Sequence, residues 1–244
     1  MISIGTRAHG ASLRRPLNGL DVDIHKSEWM QSTEVDGRAP TVSPIEQVPD
    51  STLCTHFHRQ NQFQLFVRGS GTFGGDPLQP VTVHYAGAYT GYGPLAAGRD
   101  GLDYFTLRML PEADAFPVDA AREVMIRGPK RHAKSMPAQA LPSAGLAALT
   151  APEAAELIPV GDDGLGALLF RLPPGAALDP AVPAATDGTF AMVLGGSLRH
   201  EGAALQRWES LFVSADEPFP RVFAGPEGAE VALLFMPPKA VAYR

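Results

Sequence analysis

The chain has 244 residues, of which 45% are hydrophobic and 19% charged, and its formal net charge is −6. This globular composition is enough for one large or two small domains, and an acidic chain without a basic face argues against a nucleic-acid partner. The single cysteine, Cys54, excludes an internal disulfide and favours a reducing compartment, so we expect a cytoplasmic protein. Residues 1–20 carry no signal-peptide pattern, and no apolar run is long enough for a membrane helix.

Short apolar runs bounded by turn residues predict strands along most of the chain. In chain order they are FQLFVRGSGTF, VTVHYAGAY, LDYFTLRML, GALLFRLPP, FAMVLGGSL, SLFVSAD and VALLFMPP. The 25 glycines and 23 prolines mark turns and favour many short strands over long helices. Helical periodicity is confined to residues 118–127 and 151–157, and the alanine- and proline-rich residues 113–150 are interpreted as a connecting segment.

The two halves of the chain repeat one another faintly. FVRGSGTF at 66–73 matches MVLGGSLR at 192–199, which places Gly69 on Gly195. GRDGLDYFTLRMLP at 98–111 matches GPEGAEVALLFMPP at 225–238. A duplication of this length predicts two similar β domains, and closure of each sheet would remove its exposed edges. We therefore expect an N-terminal domain over 1–112 and a C-terminal domain over 151–244.

The stretch CTHFHRQNQFQLF, which begins at Cys54, carries the candidate site. Alternate residues of a strand point to the same face, so Cys54, His56 and His58 would share one face. A face of the next strand would carry Gln62, Gln64 and Phe66, with Gln62 opposite the histidines. If the first face lines a barrel, the two imidazoles could bind one metal ion.

This pattern resembles the first motif of the cupin superfamily, G-x5-H-x-H-x3,4-E-x6-G. His56, His58 and Gly69 match its spacing, whereas Gln62 stands where the motif has glutamate and Asp50 replaces its leading glycine. With the repeat, the chain resembles a two-domain bicupin of germin-like barrels over roughly residues 40–110 and 160–240.

The second cupin motif is poorly kept. Tyr92 lies near the position of its histidine, and His84 is another candidate for a fourth metal ligand. The resemblance implies an all-β fold with two cupin barrels (double-stranded β-helix or jelly roll) in tandem and little helix. It also implies a homodimer.

The resemblance further implies a divalent metal ion, Fe, Zn, Mn or Ni, in the N-terminal barrel. The candidate metal ligands are His56, His58, Gln62 and His84. The other pocket candidates are Cys54, Gln64, Phe66, Tyr89 and Tyr92. Glutamine offers a neutral oxygen where the facial triad of non-haem iron oxygenases has a carboxylate, so weaker metal binding is expected. The Gln62 amide could instead hydrogen-bond a metal-bound water or a substrate.

Each candidate also has a structural alternative. His56 and His58 could be a hydrogen-bonded pair left from an ancestral site. The lone Cys54 could fill a core, and the tyrosines could serve packing. Arg108 could bind a substrate carboxylate through its planar fork, or form a surface or interface ion pair.

The second half lacks the candidate ligands. At the repeat spacing, Val182, Ala184 and Gly188 replace the two histidines and Gln62, so we expect a metal-free second domain that serves as scaffold or dimer surface.

The leading hypothesis is a metal-dependent enzyme of dioxygenase, isomerase or lyase type that acts on a small polar metabolite. The alternative is a non-catalytic cupin that binds a small ligand or is purely structural.

Overall fold

The computed structural model describes residues 1–17, 22–112 and 114–244. In chain order the strands are β1 (Ile2–Gly5), β2 (Arg15–Pro16), β3 (Ile24–Lys26), β4 (Met30–Gln31), β5 (Thr41–Gln47), β6 (Thr52–Leu53), β7 (His56–Phe57), β8 (Gln62–Phe73), β9 (Asp76–Leu78), β10 (Thr82–Ala86), β11 (Leu95–Arg108), β12 (Phe116–Pro117), β13 (His132–Lys134), β14 (Glu153–Ile158), β15 (Gly166–Leu172), β16 (Ala177–Leu178), β17 (Gly188–His200), β18 (Ala203–Leu205), β19 (Ser210–Ser214) and β20 (Val222–Met236). Helices are short: α1 (Arg7–Gly10), α2 (Ser143–Ala147) and the 3₁₀ turns Ala11–Leu13, Arg122–Val124 and Val241–Tyr243.

The chain forms two compact units. The N-terminal unit comprises Gly10–Ala138 and Lys239–Arg244, and the C-terminal unit comprises Met1–His9 and Gln139–Pro238. These bounds differ from the expected domains at both chain ends, because β1 pairs with β19 of the C-terminal unit. Residue 113, the first of the expected connecting segment, lies outside the described residues.

The N-terminal unit is built on one antiparallel sheet with the order β13-β10-β8-β11-β5-β3-β2. The long strands β8 and β11 pair along most of their length. Apolar and aromatic side chains from these strands form a buried core, which includes Ile24, Ile45, Phe66, Leu95 and Tyr104. One end of the β8–β11 pair is polar, with Gln62 opposite Arg108 and Gln64 opposite Thr106.

The C-terminal unit repeats this plan with the order β1-β19-β17-β20-β15-β14. Its apolar core includes Ala191, Leu211, Leu233 and Phe235. The strand registers make β17 and β20 the counterparts of β8 and β11.

In both units, a pair of glycines stands where the two long strands approach each other closely. Gly69 and Gly196 both have positive φ, and a Cβ on either would lie about 2 Å from a carbonyl oxygen, that of Gly101 or Gly228 respectively. Gly69 therefore corresponds to Gly196 and not, as the sequence match suggested, to Gly195. Asp50 also has positive φ, at 55°, so the position where the motif has glycine keeps a glycine-like backbone conformation.

The predicted all-β class and all seven strand runs are confirmed. Both predicted helices are wrong. Residues 118–127 contain only the 3₁₀ turn Arg122–Val124, and most of 151–157 belongs to β14, which pairs with β15. Pairing with a neighbouring strand overrides the helix propensity of alanine and glutamate there. In the described part of the chain, no helix is long and apolar enough to cross a membrane.

Candidate ligand pocket of the N-terminal unit

The N-terminal unit contains a partly open cavity of about 40 Å³ at the polar end of the β8–β11 pair. Five of the polar side chains that line it decide its chemistry: Lys26, His56, His58, Arg108 and Glu112. Gln64, Tyr92, Tyr104 and Thr106 also line it, and apolar side chains such as Ile24 and Ile45 complete the wall. A water molecule needs about 10–15 Å³ of such space, so the cavity has room for a group of very few atoms.

His56 and His58 bracket Phe57, whose side chain packs in a separate apolar cluster, so the two imidazoles share the cavity side as predicted. Nδ1 of His56 lies 2.8 Å from the carbonyl oxygen of Cys54, and Nδ1 of His58 lies 2.8 Å from that of Asp114. A carbonyl only accepts hydrogen bonds, so each ring carries its proton on Nδ1 and keeps a lone pair on Nε2. The ring centroids are 5.3 Å apart.

Both imidazoles are held in the neutral form. Burial lowers the pKa of His56 to about 4, and burial together with the Arg108 charge lowers the pKa of His58 well below its usual value. Because both imidazoles are neutral, the positive charge of the pocket comes from other side chains.

Arg108 carries that charge. Its side chain is only 5% exposed, and Nε and Nη2 donate to Oε1 of Gln62 at 2.9 and 2.7 Å. Nη1 donates to the carbonyl oxygen of Glu112 at 3.0 Å. Burial lowers the pKa of Arg108, but a guanidinium stays protonated in proteins. Among the described residues, no carboxylate lies within ion-pair distance of it.

The guanidinium also contacts His58. Nη2 of Arg108 lies 3.2 Å from Nε2 and 3.4 Å from Nδ1 of His58. An N–H of the guanidinium is thus within hydrogen-bond range of the ring nitrogens of His58, and the contact places the Arg108 charge beside that ring.

Gln62 is fully buried and does not line the cavity. Its Oε1 accepts both hydrogen bonds from Arg108, and its Nε2 donates to the hydroxyl of Tyr92. The structure thus places Gln62 behind the pocket, as the partner of Arg108 and Tyr92. Tyr92 lines the cavity with its ring centroid 4.5 Å from that of His56, and burial raises the pKa of its hydroxyl.

His84 lies apart from the histidine pair. Its Nδ1 is 2.8 Å from Oε1 of Gln64, and the ring of Tyr92 packs against both His84 and His56. Burial lowers the pKa of His84 to about 3. Nε2 of His84 and Nε2 of Gln64 are buried, and neither has a hydrogen-bond partner within the described residues.

Three predicted pocket residues lie elsewhere. Cys54 is exposed, because the chain leaves the sheet between β6 and β7 and strand alternation does not hold there. Tyr89 packs on the other side with Phe57 and Tyr243. Phe66 belongs to the apolar core, deeper along β8 than the cavity.

Lys26 and Glu112 are pocket residues that sequence reasoning missed. Lys26 ends β3 with Nζ 3.3 Å from a carboxylate oxygen of Glu28, and burial lowers its pKa. The Glu112 carboxylate accepts the backbone N–H groups of Arg59 and Gln60, and burial raises its pKa. Neither residue belongs to the first cupin motif. The one feature of the sequence that could have pointed to Glu112 is its position just after the strand β11.

The residues present do not fit a divalent metal ion. The Nε2 atoms of His56 and His58 could supply two neutral ligands, but the Gln62 oxygen already accepts two hydrogen bonds from Arg108. Within the described ranges, no group of three His, Cys, Asp or Glu side chains is arranged to hold a metal. The fixed charge of Arg108 beside His58 would repel a dication.

No family model and no curated protein sequence matches the chain. Among solved structures, a provisionally assigned glyoxylate-induced protein from Pseudomonas aeruginosa aligns over 98% of this chain and 88% of its own, with 13% identity and a TM-score of 0.59. A provisionally assigned dioxygenase from Nostoc punctiforme aligns over 100% and 82%, with 12% identity and a TM-score of 0.55. Pirin from Escherichia coli, in complex with nickel(II), aligns over 98% and 100%, with 14% identity and a TM-score of 0.53. These are cupin proteins, so the chain has the two-barrel cupin fold.

Proposed function

We propose that the N-terminal unit binds a small organic anion, a carboxylate of two or three carbons, with Arg108 as its anchor. The observation that carries this proposal is a guanidinium that is 5% exposed, lines a cavity and has no carboxylate partner among the described residues. An unpaired buried charge costs several kcal/mol, and a bound anion would offset that cost.

The donor geometry of Arg108 supports a carboxylate. A guanidinium has five N–H bonds in a planar fork, and three of them are directed at the oxygens of Gln62 and Glu112. Nη2 also contacts His58, and the second N–H of Nη1 remains for a ligand carboxylate. The Gln62 contacts hold the fork in place before the ligand arrives, so less side-chain entropy is lost on binding.

The surroundings favour an anion. His56 and His58 are neutral, and Lys26 adds a second cation at the cavity wall. Glu112 opposes the anion when it is ionised; burial raises its pKa, while the backbone N–H groups of Arg59 and Gln60 and the Arg108 charge oppose that rise. The cavity of about 40 Å³ has room for a few heavy atoms of the ligand.

Calorimetric titration with acetate, glycolate and oxalate tests this proposal. We expect wild-type protein to bind at least one of them and Arg108→Met to bind it at least about tenfold more weakly, because a hydrogen bond to a charged group contributes about 1.5–3 kcal/mol. Arg68→Met is the matched control, since Arg68 lies on the same strand pair but is exposed and bound to Asp103 at 2.5 Å. Equal affinity in wild type and Arg108→Met, or no binding of any of the three acids, would refute the proposal.

The second candidate is the metal-dependent enzyme that the motif predicts. It is favoured by the two Nδ1 contacts to backbone carbonyls, which keep Nε2 of both rings unprotonated, as in metal-ligating histidines, although Nη2 of Arg108 lies 3.2 Å from Nε2 of His58. The nickel(II) in the pirin structure supports a metal in this fold. This candidate requires Arg108 to move away from His58, because in the present arrangement the residues do not fit a divalent metal ion. Metal analysis of protein purified without added metal, with His56→Ala as control, tests this candidate.

A further inference from the structure

Gln62 and Arg108 form a matched pair across β8 and β11. They stand directly opposite each other in the strand register, and two N–H groups of the guanidinium converge on one amide oxygen. We infer that Arg108 is the resident cation of this barrel and that its guanidinium, fixed on Gln62, keeps divalent metal ions away from His56 and His58. This inference does not depend on anion binding.

The exclusion has two physical components. The first is ligand count: the Gln62 oxygen that could have been a third ligand is turned to Arg108 and does not line the cavity. The second is charge: Nη2 of Arg108 lies 3.2 Å from Nε2 of His58, so an ion on that nitrogen would meet a full positive charge at close range. Both components come from one side chain, so removing that side chain should relieve both.

The C-terminal unit shows that the fold does not require this pair. At the same register, Thr189 stands opposite Phe235, and a cluster of buried apolar side chains packs nearby without any arginine among its described members. Replacing a buried charged group by packed apolar residues is often neutral or stabilising. The arginine in the N-terminal unit is therefore best explained by the chemistry of the pocket.

Four proteins test the inference: wild type, Gln62→Glu, Arg108→Met and the double variant. Each is dialysed against a chelator and titrated with Co(II), followed by visible absorption and by calorimetry. We expect no binding by wild type. We expect none by Gln62→Glu either, because the new carboxylate would pair side-on with Arg108 in the geometry that Gln62 already has. The double variant, with two imidazoles and a free carboxylate, should bind Co(II) at least a hundredfold more tightly than wild type.

The results that would overturn the inference are equally definite. Stoichiometric Co(II) binding by wild type or by Gln62→Glu, within tenfold of the double variant, shows that Arg108 excludes nothing. A folded double variant that binds no Co(II) shows that Arg108 is not the cause of exclusion. Circular dichroism checks folding. If the double variant does not fold, Arg108→Gln with Gln62→Glu replaces it, and the same criteria apply. Arg68→Met should leave Co(II) binding at the wild-type level.

Discussion

Three histidines of the N-terminal unit, His56, His58 and His84, are buried and lie close to cationic groups. Burial is the largest cause of the lowered pKa of each, and neighbouring positive charges from Arg108, His132 and Lys134 add to it. Each ring donates one hydrogen bond through Nδ1, to a backbone carbonyl or to Gln64. The cavity is therefore lined by two uncharged imidazoles, those of His56 and His58, beside the Arg108 guanidinium.

These lowered pKa values predict a protein that loses stability in mild acid. A histidine whose pKa is below 6.5 when folded binds fewer protons than in the unfolded chain, so stability is full above that pH and falls below it. The loss continues down to the folded pKa, which is about 4 for His56 and about 3 for His84. At pH 5.5 each such histidine should cost about 1.4 kcal/mol.

Urea unfolding followed by tryptophan fluorescence between pH 7.5 and pH 4.5 measures this effect. The variant His84→Leu with Gln64→Ala, which copies Leu211 and Ala191 of the C-terminal unit, should show a shallower pH dependence. A midpoint that does not change between pH 6.5 and pH 5 would show that the histidines are not buried as neutral rings.

At the residue scale, the sequence predicted the histidine pair better than its surroundings. His56 and His58 share one side because Phe57 between them is drawn into a separate apolar cluster, which alternation anticipates. For Arg108, the sequence left two roles open: binding a substrate carboxylate, or forming an ion pair at a surface or interface. Its buried position follows from the register of β11 against β8, which a single sequence does not reveal.

Among the elements, β8 and β11 are the pair on which the pocket depends. They hold Gln62 and Arg108 opposite each other at one end, and they cross closely at Gly69 and Gly101 further along. A one-residue slip in this register would turn Arg108 out of the cavity. The glycine crossing is therefore part of how the site is positioned.

Gly69→Ala should be strongly destabilising. Its φ is 78°, and a Cβ would lie 2.0 Å from the carbonyl oxygen of Gly101, so backbone must move. We expect a loss of about 3 kcal/mol or more, from combined strain and overpacking. Thermal unfolding by circular dichroism measures it.

The matched control is Gly75→Ala. Gly75 also has positive φ, at 96°, but a Cβ there would have no neighbour within 4 Å. Its cost should be limited to about 1–2 kcal/mol of backbone strain. Similar losses in the two variants would mean that the close approach at Gly69 is unimportant.

At the scale of the whole molecule, each chain end belongs to the unit formed mainly by the other half of the sequence. Residues of β1 pair with β19, and the Met1 ammonium donates to Oγ of Ser214 at 2.6 Å. The last residues join the N-terminal unit, where Tyr243 packs against Tyr89. The expected domains 1–112 and 151–244 would thus each lack a terminal segment.

The homodimer expected from the cupin resemblance stays a prediction.

Deleting residues 1–5 should destabilise the C-terminal unit selectively. The deletion removes β1 and its ladder hydrogen bonds, and we expect a loss of about 2 kcal/mol at roughly 1 kcal/mol or less per bond. Hydrogen exchange should show faster exchange in β19, with β8 and β11 unchanged. Equal loss of protection in both units, or none in β19, would contradict the assignment of β1.

The sequence alone determined the all-β class, the doubled plan and the histidine pair, because period-two alternation, turn glycines and motif spacing are local properties of the chain. Only the tertiary structure decided that Gln62 pairs with Arg108 and that Lys26 and Glu112 reach the pocket. It also decided that each terminal segment belongs to the unit formed mainly by the other half of the chain. These outcomes depend on strand register and on contacts between residues far apart in sequence, and many registers are compatible with the same local pattern.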